Sequence, residues 1–302
     1  MKLRSGTESA AVRGVGLALL LLASHAQARI VEEQLDLPVQ VTDAYGKAIA
    51  QSIKLTVFRD DAAPGPQPLL VINHGRAADP QDRAALGRAR YSENSRWFAQ
   101  HGFVVAVPTR IGYGASGGED VEDTGACSDK RYPPGFAAAA QQTLQVLAAL
   151  RDRAQVRKDR IVVLGQSYGG ATAVTVAALN PPGVVAAINF AGGGGGNPKT
   201  QPGRPCGPHL LERMFGNYGK TAAVPMLWIY TENDKYFGPN HPKEWFEAFR
   251  KAGGSGEFVQ FPPRGEDGHS LFTAFPAVWR PTVVEFLRKQ GFEMKEPEET
   301  AK

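Results

Sequence analysis

The stretch IVVLGQSYGG, residues 161–170, places one serine between two glycines at the end of an apolar run. Residues 161–164 are apolar and mostly β-branched, which is typical of a short strand buried on both faces of a sheet. The residues that follow, SYGGATAVTVAALN, indicate a helix. A sharp turn from strand to helix requires small neighbours around a side chain that stands clear of the backbone. The sequence therefore predicts that Ser167 is exposed at such a turn.

Strands and helices alternate along most of the chain. Two strands are predicted within residues 31–60, around a turn at Tyr45 and Gly46. The later strands are predicted at 69–75, 103–109, 161–164, 183–190, 224–234 and 256–262, and the helices at 92–102, 136–153, 167–180, 242–254 and 276–291. This alternation predicts an α/β fold, with a mostly parallel central sheet, helices on both faces and antiparallel N-terminal edge strands. No linker divides residues 29–292, which are expected to form a single domain.

The N-terminus has the pattern of an export signal. Three basic residues precede the apolar run VGLALLLLA (15–23), and the small-residue motif AQA ends at Ala28. This predicts a secretory signal peptide over residues 1–28, and hence a periplasmic or secreted protein. The alternative is an uncleaved membrane anchor, although the run is short for a bilayer and no other stretch is apolar enough to span one. Residues 293–302 are predicted to be a flexible tail.

Composition and charge exclude one class of partner. The chain has 302 residues, of which 42% are hydrophobic, as is ordinary for a globular protein. Part of its formal net charge of +4 lies in the predicted signal peptide, and no basic cluster with interleaved aromatic residues occurs elsewhere. So small a surplus argues against nucleic acid as a partner.

The sequence contains only two cysteines, Cys127 and Cys206. They are too few and too far apart for the usual zinc motifs. Each lies in a loop that leaves the carboxyl edge of the predicted parallel sheet, the edge that also carries Ser167. Because exported proteins meet oxidising conditions, the sequence predicts a disulfide between them beside this edge, with two free thiols as the alternative.

A serine at such a turn becomes a nucleophile when a histidine takes its proton and an acid orients the histidine. His269 lies in RGEDGHSLF, between the last predicted strand and the last helix, and therefore at the same carboxyl edge as Ser167. An isolated loop histidine is otherwise a solvated surface group. The other five histidines are His25 in the predicted signal peptide, His74 at the end of an early strand, His101 at the opposite edge, and His209 and His241 in predicted loops, of which the last two stay open as alternatives.

An acid is available at the same edge of the sheet. Asp234 follows the predicted strand MLWIY within the turn-rich segment TEND. Such an aspartate commonly serves the turn alone. Glu232 is its nearest competitor, but it lies closer to the end of the strand and is expected to point elsewhere. The sequence therefore favours Asp234 as the acid.

These motifs, taken in order, resemble the α/β-hydrolase family, and within it the dienelactone hydrolase-like and prolyl-oligopeptidase-like branches. The resemblance covers roughly residues 40–290. It rests on NHG after the strand at 69–75, RIGYGASGG after the next strand, GQSYGG at the turn, YTENDKYF at the acid and DGHSLF at the histidine. The chain order serine, aspartate, histidine is that of the family. Dienelactone hydrolases proper have a cysteine nucleophile, whereas this chain has Ser167, which favours ordinary ester hydrolysis.

The resemblance implies a serine hydrolase that cleaves small-molecule carboxylic esters through an acyl-enzyme. Ser167 is then the nucleophile, His269 the base and Asp234 the acid that orients it. The backbone N–H groups of Tyr168 and, by resemblance to the His-Gly-x turn of such enzymes, of Arg76 are expected to form the oxyanion hole. The Arg76 side chain lies either over the substrate or in solvent. No metal or organic cofactor is needed, and the oligomeric state stays open.

Two other functions stay open. One is a serine peptidase of the prolyl-oligopeptidase type, although the roughly 40 residues before the fold are too few for a propeller. The other, which an intact triad disfavours, is a non-catalytic binding protein on the same fold. The glycines of 192–196 are not followed by the Lys-Ser pair of a phosphate-binding loop, so a flexible loop beside the active site is expected there. Tyr113, Trp228 and Tyr236 are expected to be packing groups.

Overall fold

The computed structural model describes residues 29–294. Its strands are β1 (Ile30–Thr42), β2 (Ala48–Asp60), β3 (Gln67–Asn73), β4 (Val104–Thr109), β5 (Val156–Gln166), β6 (Val184–Phe190), β7 (Met226–Thr231) and β8 (Gly256–Phe261). They form one sheet in the order β1-β2-β4-β3-β5-β6-β7-β8. β2 pairs antiparallel with β1 and with β4, and every other neighbouring pair is parallel. The predicted mostly parallel sheet with antiparallel N-terminal edge strands is confirmed.

The helices connect these strands and cover both faces of the sheet. They are α1 (Pro80–Ala84), α2 (Ser92–Gln100), α3 (Tyr132–Arg151), α4 (Tyr168–Ala178), α5 (Pro208–Gly219), α6 (His241–Lys251), α7 (Leu271–Ala274) and α8 (Pro276–Lys289). The helices expected from the sequence are all present, with ends that differ by a few residues. The helix expected from residue 136 begins at Tyr132, because Pro133 and Pro134 occupy its first turn, where proline needs no hydrogen-bond partner.

Helix α5 was not expected from the sequence. It places Leu211, Met214 and Phe215 on one buried face, and this helical spacing is the signal that could have revealed it. The expectation that His209 and His241 lie in loops is therefore wrong. His209 belongs to the first turn of α5, and His241 is the first residue of α6.

Successive side chains of each central strand enter two different apolar layers. In β5, Ile161 and Val163 face the layer that contains α3 to α6, whereas Val162 and Leu164 face the layer that contains α2 and α8. All four are fully buried, which explains the uninterrupted apolar run in the sequence. Parallel pairing from β4 to β8 brings the loops that follow these strands to one edge of the sheet.

The two ends of the chain, residues 1–28 and 295–302, lie outside the described residues. The predicted signal peptide and most of the predicted tail fall there. Met294 is buried in the same apolar layer as α8, so packing continues to the last described residue. Within residues 29–294, no helix is long and apolar enough to cross a membrane.

Candidate active site

Ser167 stands at the turn between β5 and α4 with φ +58°, in the left-handed region that strains a side chain. Its backbone N–H donates to the carbonyl of Phe190 at 2.8 Å. A methyl group on Gly165 would collide with the carbonyl of Gly169, and one on Gly169 with the carbonyl of Asn73. The small residues of GQSYGG are therefore required because α4 begins directly against the ends of β3 and β5.

Asp234 and His269 form a hydrogen-bonded pair. The Nδ1–H of His269 donates to Asp234 Oδ2 at 2.9 Å. The other carboxylate oxygen, Oδ1, accepts from the backbone N–H groups of Tyr236 and Phe237 at 2.8 and 3.0 Å. This arrangement fixes the imidazole tautomer, so Nε2 carries the lone pair. Nε2 is buried and has no hydrogen-bond partner among residues 29–294.

The loop that carries His269 lies against the serine turn. The side-chain amide of Gln166, the residue before Ser167, donates to the carbonyl of His269 at 3.2 Å. Glu232, the competing acid, is exposed, and its backbone N–H donates to the carbonyl of Phe261 at 3.0 Å. Of the two acids, the structure therefore brings Asp234 to the histidine.

Two polar residues that the sequence analysis did not identify join the acid loop to the histidine loop. Asn233 exchanges hydrogen bonds with the backbone of Arg264 at 2.9 and 3.2 Å. Asp267 Oδ1 accepts from the backbone N–H groups of His269 and Lys235 at 3.0 and 2.9 Å. The motifs TEND and EDGH contain these residues, and their tendency to bond nearby backbone was the available signal.

The turn after β3 lies beside Ser167. A methyl group on Gly75 would lie 3.2 Å from Ser167 Cβ. No acceptor within the described residues takes a hydrogen bond from the backbone N–H of Arg76 or from that of Tyr168. Arg76 and Tyr168 therefore each keep a backbone N–H that no described residue uses.

His74 has a structural role in that turn. Its Nδ1 bonds to the carbonyl of Gly75 at 2.7 Å, and its Nε2 accepts from the backbone N–H of Arg110 at 3.1 Å. Burial, with the nearby charge of Arg110, lowers the pKa of His74 well below its usual range. The imidazole is therefore neutral and fully used, which excludes His74 as the base.

A buried ion pair connects the elements around the site. Arg110 and Glu122 have fully buried side chains and contact each other at 2.5 Å between Nε and Oε1. Arg110 also donates to the carbonyl of His74 at 2.9 Å. Glu122 accepts from the hydroxyl of Tyr113 at 2.7 Å through its carboxylate, and from that of Tyr168 at 3.3 Å through its backbone carbonyl. The turn that carries the Arg76 backbone N–H is therefore hydrogen-bonded to Arg110, and helix α4, which carries that of Tyr168, is hydrogen-bonded to Glu122.

A cavity of about 460 Å³ lies beside Ser167. Arg76 contributes its side chain to the wall and forms two hydrogen bonds to Asp120, at 2.7 and 2.5 Å. Arg83 contacts the same carboxylate at 3.0 Å. Burial opposes ionisation of Asp120, but the two guanidinium groups outweigh it and lower its pKa. The Arg76 side chain thus lines the cavity with its charge paired and is mostly buried, so of the two expected positions the one in solvent is wrong.

The predicted disulfide is present. Cys127 and Cys206 are bonded across 79 residues of sequence, with their Cα atoms 5.2 Å apart. Both cysteines line the cavity. The hydroxyl of Tyr132, at the start of α3, donates to the carbonyls of Cys206 and Gly194. The disulfide therefore joins the loop after β4 to the loop after β6 at the cavity wall.

The glycine run 192–196 lies beside the site, as expected, but it is held in place rather than loose. The hydroxyl of Tyr230 donates to the carbonyl of Gly192 at 2.7 Å, and Gly193 N–H donates to the carbonyl of Ser167 at 3.3 Å. The run passes between aromatic residues, so that a methyl group on Gly193 would lie 2.8 Å from Phe237. Glycine is required there because of this close packing.

Tyr236 differs from the packing role expected for it. Tyr113 and Trp228 are fully buried, in agreement with that role. Tyr236 is partly exposed, lines the cavity and stacks on the imidazole of His269, with ring centroids 3.9 Å apart and planes at 23°. It is therefore part of the site.

The fold and this arrangement are those of an α/β-hydrolase. Residues 84–275, more than half of the chain, match the dienelactone hydrolase family. The chain belongs to this family. Within the described residues, no group of histidine, cysteine, aspartate or glutamate side chains could hold a metal ion.

Solved structures show the same fold at low sequence identity. An acetyl xylan esterase from Paenibacillus sp. R4 is 17% identical with a TM-score of 0.57, over 88% of each chain. An esterase from Pyrococcus furiosus is 16% identical with a TM-score of 0.53, over 84% of this chain and 90% of that one. An acylaminoacyl peptidase from Pyrococcus horikoshii is 14% identical with a TM-score of 0.57, over 88% of this chain but 42% of that one. No curated protein matches the sequence.

The buried ion pair gives a first prediction. Glu122→Gln leaves Arg110 as an unpaired buried charge, and we expect it to lower the free energy of unfolding by about 3–5 kcal/mol. Glu119→Gln is the matched control in the same loop, because Glu119 is exposed and pairs at the surface with Lys47. It should cost less than about 1 kcal/mol. Urea unfolding of both variants measures the difference, and equal losses would contradict the structural role of Arg110.

The disulfide gives a second prediction. In the chain-entropy treatment, closing a loop of 79 residues stabilises the fold by up to about 4.5 kcal/mol. The double variant Cys127→Ser/Cys206→Ser should therefore unfold at a lower urea concentration, and should also have a higher KM, because both residues line the cavity. Alkylation and mass spectrometry of the unreduced mature protein should find neither thiol free. Two alkylated cysteines would refute the bridge.

Proposed function

We propose that this protein is an exported serine hydrolase that cleaves carboxylic esters through an acyl-enzyme. The observation that carries the proposal is the pairing of Asp234 with Nδ1 of His269, which leaves Nε2 free to accept a proton, on a loop bonded to the residue beside Ser167. Membership of the dienelactone hydrolase family supports hydrolase chemistry.

In the proposed mechanism, the same groups act first in acylation of Ser167 and then in deacylation. Ser167 Oγ attacks the acyl carbon while His269 Nε2 takes the hydroxyl proton, and Asp234 stabilises the imidazolium that results. The oxygen of the tetrahedral intermediate accepts hydrogen bonds from the backbone N–H groups of Arg76 and Tyr168, each worth about 3–4 kcal/mol in a dry site. The imidazolium then protonates the departing alcohol. Water, deprotonated by the same nitrogen, then attacks the acyl carbon, the bond to Ser167 Oγ breaks to release the acid, and the imidazolium returns its proton to Oγ.

The cavity favours esters with short, polar acyl groups. Its wall carries the side chains of Arg76, Arg83, Asp120, Asp123 and Lys130. Lys130 Nζ bonds to Thr124 Oγ1 and the carbonyl of Gly125, and forms no ion pair with a described residue. A long alkyl chain placed among these charged groups would strip them of water and gain apolar contact only with the aromatic part of the wall, which includes Tyr236 and Phe237.

The disulfide supports export. The pattern of residues 1–28 is that of a cleaved signal peptide, which would leave Arg29 as the first residue of one mature hydrolase domain. A disulfide that lines the active-site cavity persists in an oxidising compartment and is rare in a reducing one. We therefore propose a periplasmic or secreted location.

A serine peptidase is the second candidate. Its support is the structural likeness to an acylaminoacyl peptidase, although this chain covers only 42% of that one. Chromogenic esters and aminoacyl amides assayed side by side separate the two activities. A serine-directed phosphonate that fails to label the native protein would indicate a binding protein on the same fold.

The assigned roles give a third prediction. Ser167→Ala and His269→Ala should each lower ester turnover by about four orders of magnitude, since members of a triad act as a unit. Asp234→Asn should cost about 10³–10⁴-fold because the wrong tautomer becomes available. Glu232→Gln, the matched acid control, should stay within about twofold of the parent, since Glu232 is exposed. Circular dichroism establishes that each variant is folded.

Activity should also increase with pH on the acidic side of its pH profile. The base acts as neutral imidazole, so kcat/KM should rise with pH as the proton leaves. A flat profile from pH 5 to 9 would argue against a histidine base. Harm from Glu232→Gln with none from Asp234→Asn would reverse the assignment of the acid, and a phosphonate adduct on another residue would remove Ser167 from the mechanism.

The polar cavity gives a fourth prediction. In an apolar acyl pocket each added methylene contributes about 0.8 kcal/mol, which is about fourfold in kcat/KM. With p-nitrophenyl esters from acetate to octanoate, we expect kcat/KM to stop rising at or before butyrate. A steady increase through octanoate would show that the acyl group binds elsewhere than among Arg83, Asp120 and Lys130.

A further inference from the structure

Tyr236 contacts the proposed base face to face. Its ring lies 3.9 Å from the imidazole of His269 between centroids, with the planes inclined by 23°. Phe237 approaches the same imidazole at 5.3 Å with its plane inclined by 74°. The imidazole is therefore bounded by Asp234 at Nδ1, by Tyr236 on a face and by Phe237. Nε2 remains the unpartnered nitrogen.

The position of Tyr236 is fixed by the acid that holds the imidazole. Asp234 Oδ1 accepts from the Tyr236 backbone N–H at 2.8 Å, while Oδ2 accepts from His269. On the other side, a methyl group on Gly196 would lie 2.8 Å from Tyr236 Cβ, so the glycine run passes directly against the residue. One carboxylate thus positions both stacked rings.

A tyrosine face carries negative charge density, which attracts a cation more strongly than it attracts a neutral ring. The imidazole becomes a cation only after it has taken the serine proton. A stacked Tyr236 therefore favours the protonated state that follows proton transfer, in addition to limiting tilt of the ring. Because Tyr236 is half-buried, this attraction is less screened than at an exposed surface.

We propose that Tyr236 is a positioning residue that acts through His269, holding the imidazole in plane between Asp234 and Ser167 and stabilising its protonated form. This inference rests on the proposed hydrolase function. The titratable groups around the two stacked rings are Asp234 on Nδ1, Asp267 on the His269 backbone N–H, the Tyr236 phenol itself and Asp82, whose charge acts on Tyr236. Burial, followed by the charges of Asp267 and Asp234, raises the pKa of Tyr236, so the phenol stays neutral.

The test distinguishes the effect of the aromatic face of Tyr236 from that of its side-chain volume. Tyr236→Phe keeps the face, whereas Tyr236→Leu keeps most of the bulk and removes the face, and Tyr236→Met is a second aliphatic variant in case the first folds poorly. NMR titration of the His269 ring proton should give a midpoint about 0.5 to 1 pH unit lower in the Leu and Met variants, and the parent midpoint in Phe. His101 serves as an internal reference, because its ring stacks on Trp97, with centroids 4.1 Å apart, and not on a residue of the site.

Kinetics provide an independent measurement on the same proteins. In the aliphatic variants we expect kcat to fall about 3- to 10-fold with KM nearly unchanged, and the acidic limb of the kcat/KM profile to move to lower pH by the same amount as the titration. Tyr236→Phe should restore both. A merely structural role would lower the denaturation midpoint without moving the titration.

The outcomes separate this inference from the proposed function. An unchanged or higher midpoint in both aliphatic variants overturns the role of Tyr236, even if the parent hydrolyses esters. A lowered midpoint in the aliphatic variants, together with a parent that hydrolyses no ester, supports the stacking but overturns the hydrolase assignment. A Phe variant that behaves like Leu overturns the argument from the aromatic face and assigns the effect to the hydroxyl.

Discussion

The buried contact between Arg110 and Glu122 is the constraint on which the site depends. Two full charges removed from water are costly, and they are tolerated only when each finds its partners inside the protein. Here those partners are His74, Tyr113 and the main chain. The hydrogen bonds of this ion pair hold together the turn after β3, the end of β4 and the loop after β4 that forms part of the cavity wall. One buried ion pair therefore links the elements that surround the site.

Most of the sheet could be predicted from the sequence because its central strands are buried on both faces. The run 161–164 is apolar throughout for that reason, and the antiparallel hairpin within residues 31–60 follows from the short turn between its strands. Helix α5 was missed because it begins at Pro208, after a long loop rich in glycine and proline, although Leu211, Met214 and Phe215 have helical spacing. The glycine and proline content before this segment indicated a loop, and the helical spacing of its three apolar residues was overlooked.

The site could be predicted where its residues follow strands. Ser167, Asp234 and His269 each occur after a strand of a parallel sheet, so topology alone brings them to one edge. Glu122 could not be found in this way, because in sequence it is one acid in a charged loop, and only the long-range partner Arg110 makes it a buried ion. Tyr236 was missed for the same reason, since its stacking partner lies 33 residues later in the chain.

The cavity wall is completed by a covalent bond rather than by packing alone. The sheet, the serine turn and the histidine loop all rest on apolar layers that need no oxidant. The contact between Cys127 and Cys206, which joins the loops that close the cavity, does need one. A chain folded under reducing conditions would therefore bring Ser167, Asp234 and His269 together before its cavity wall is complete. The assembly of these three residues and the completion of the cavity wall therefore depend on different conditions, and only the second requires an oxidant.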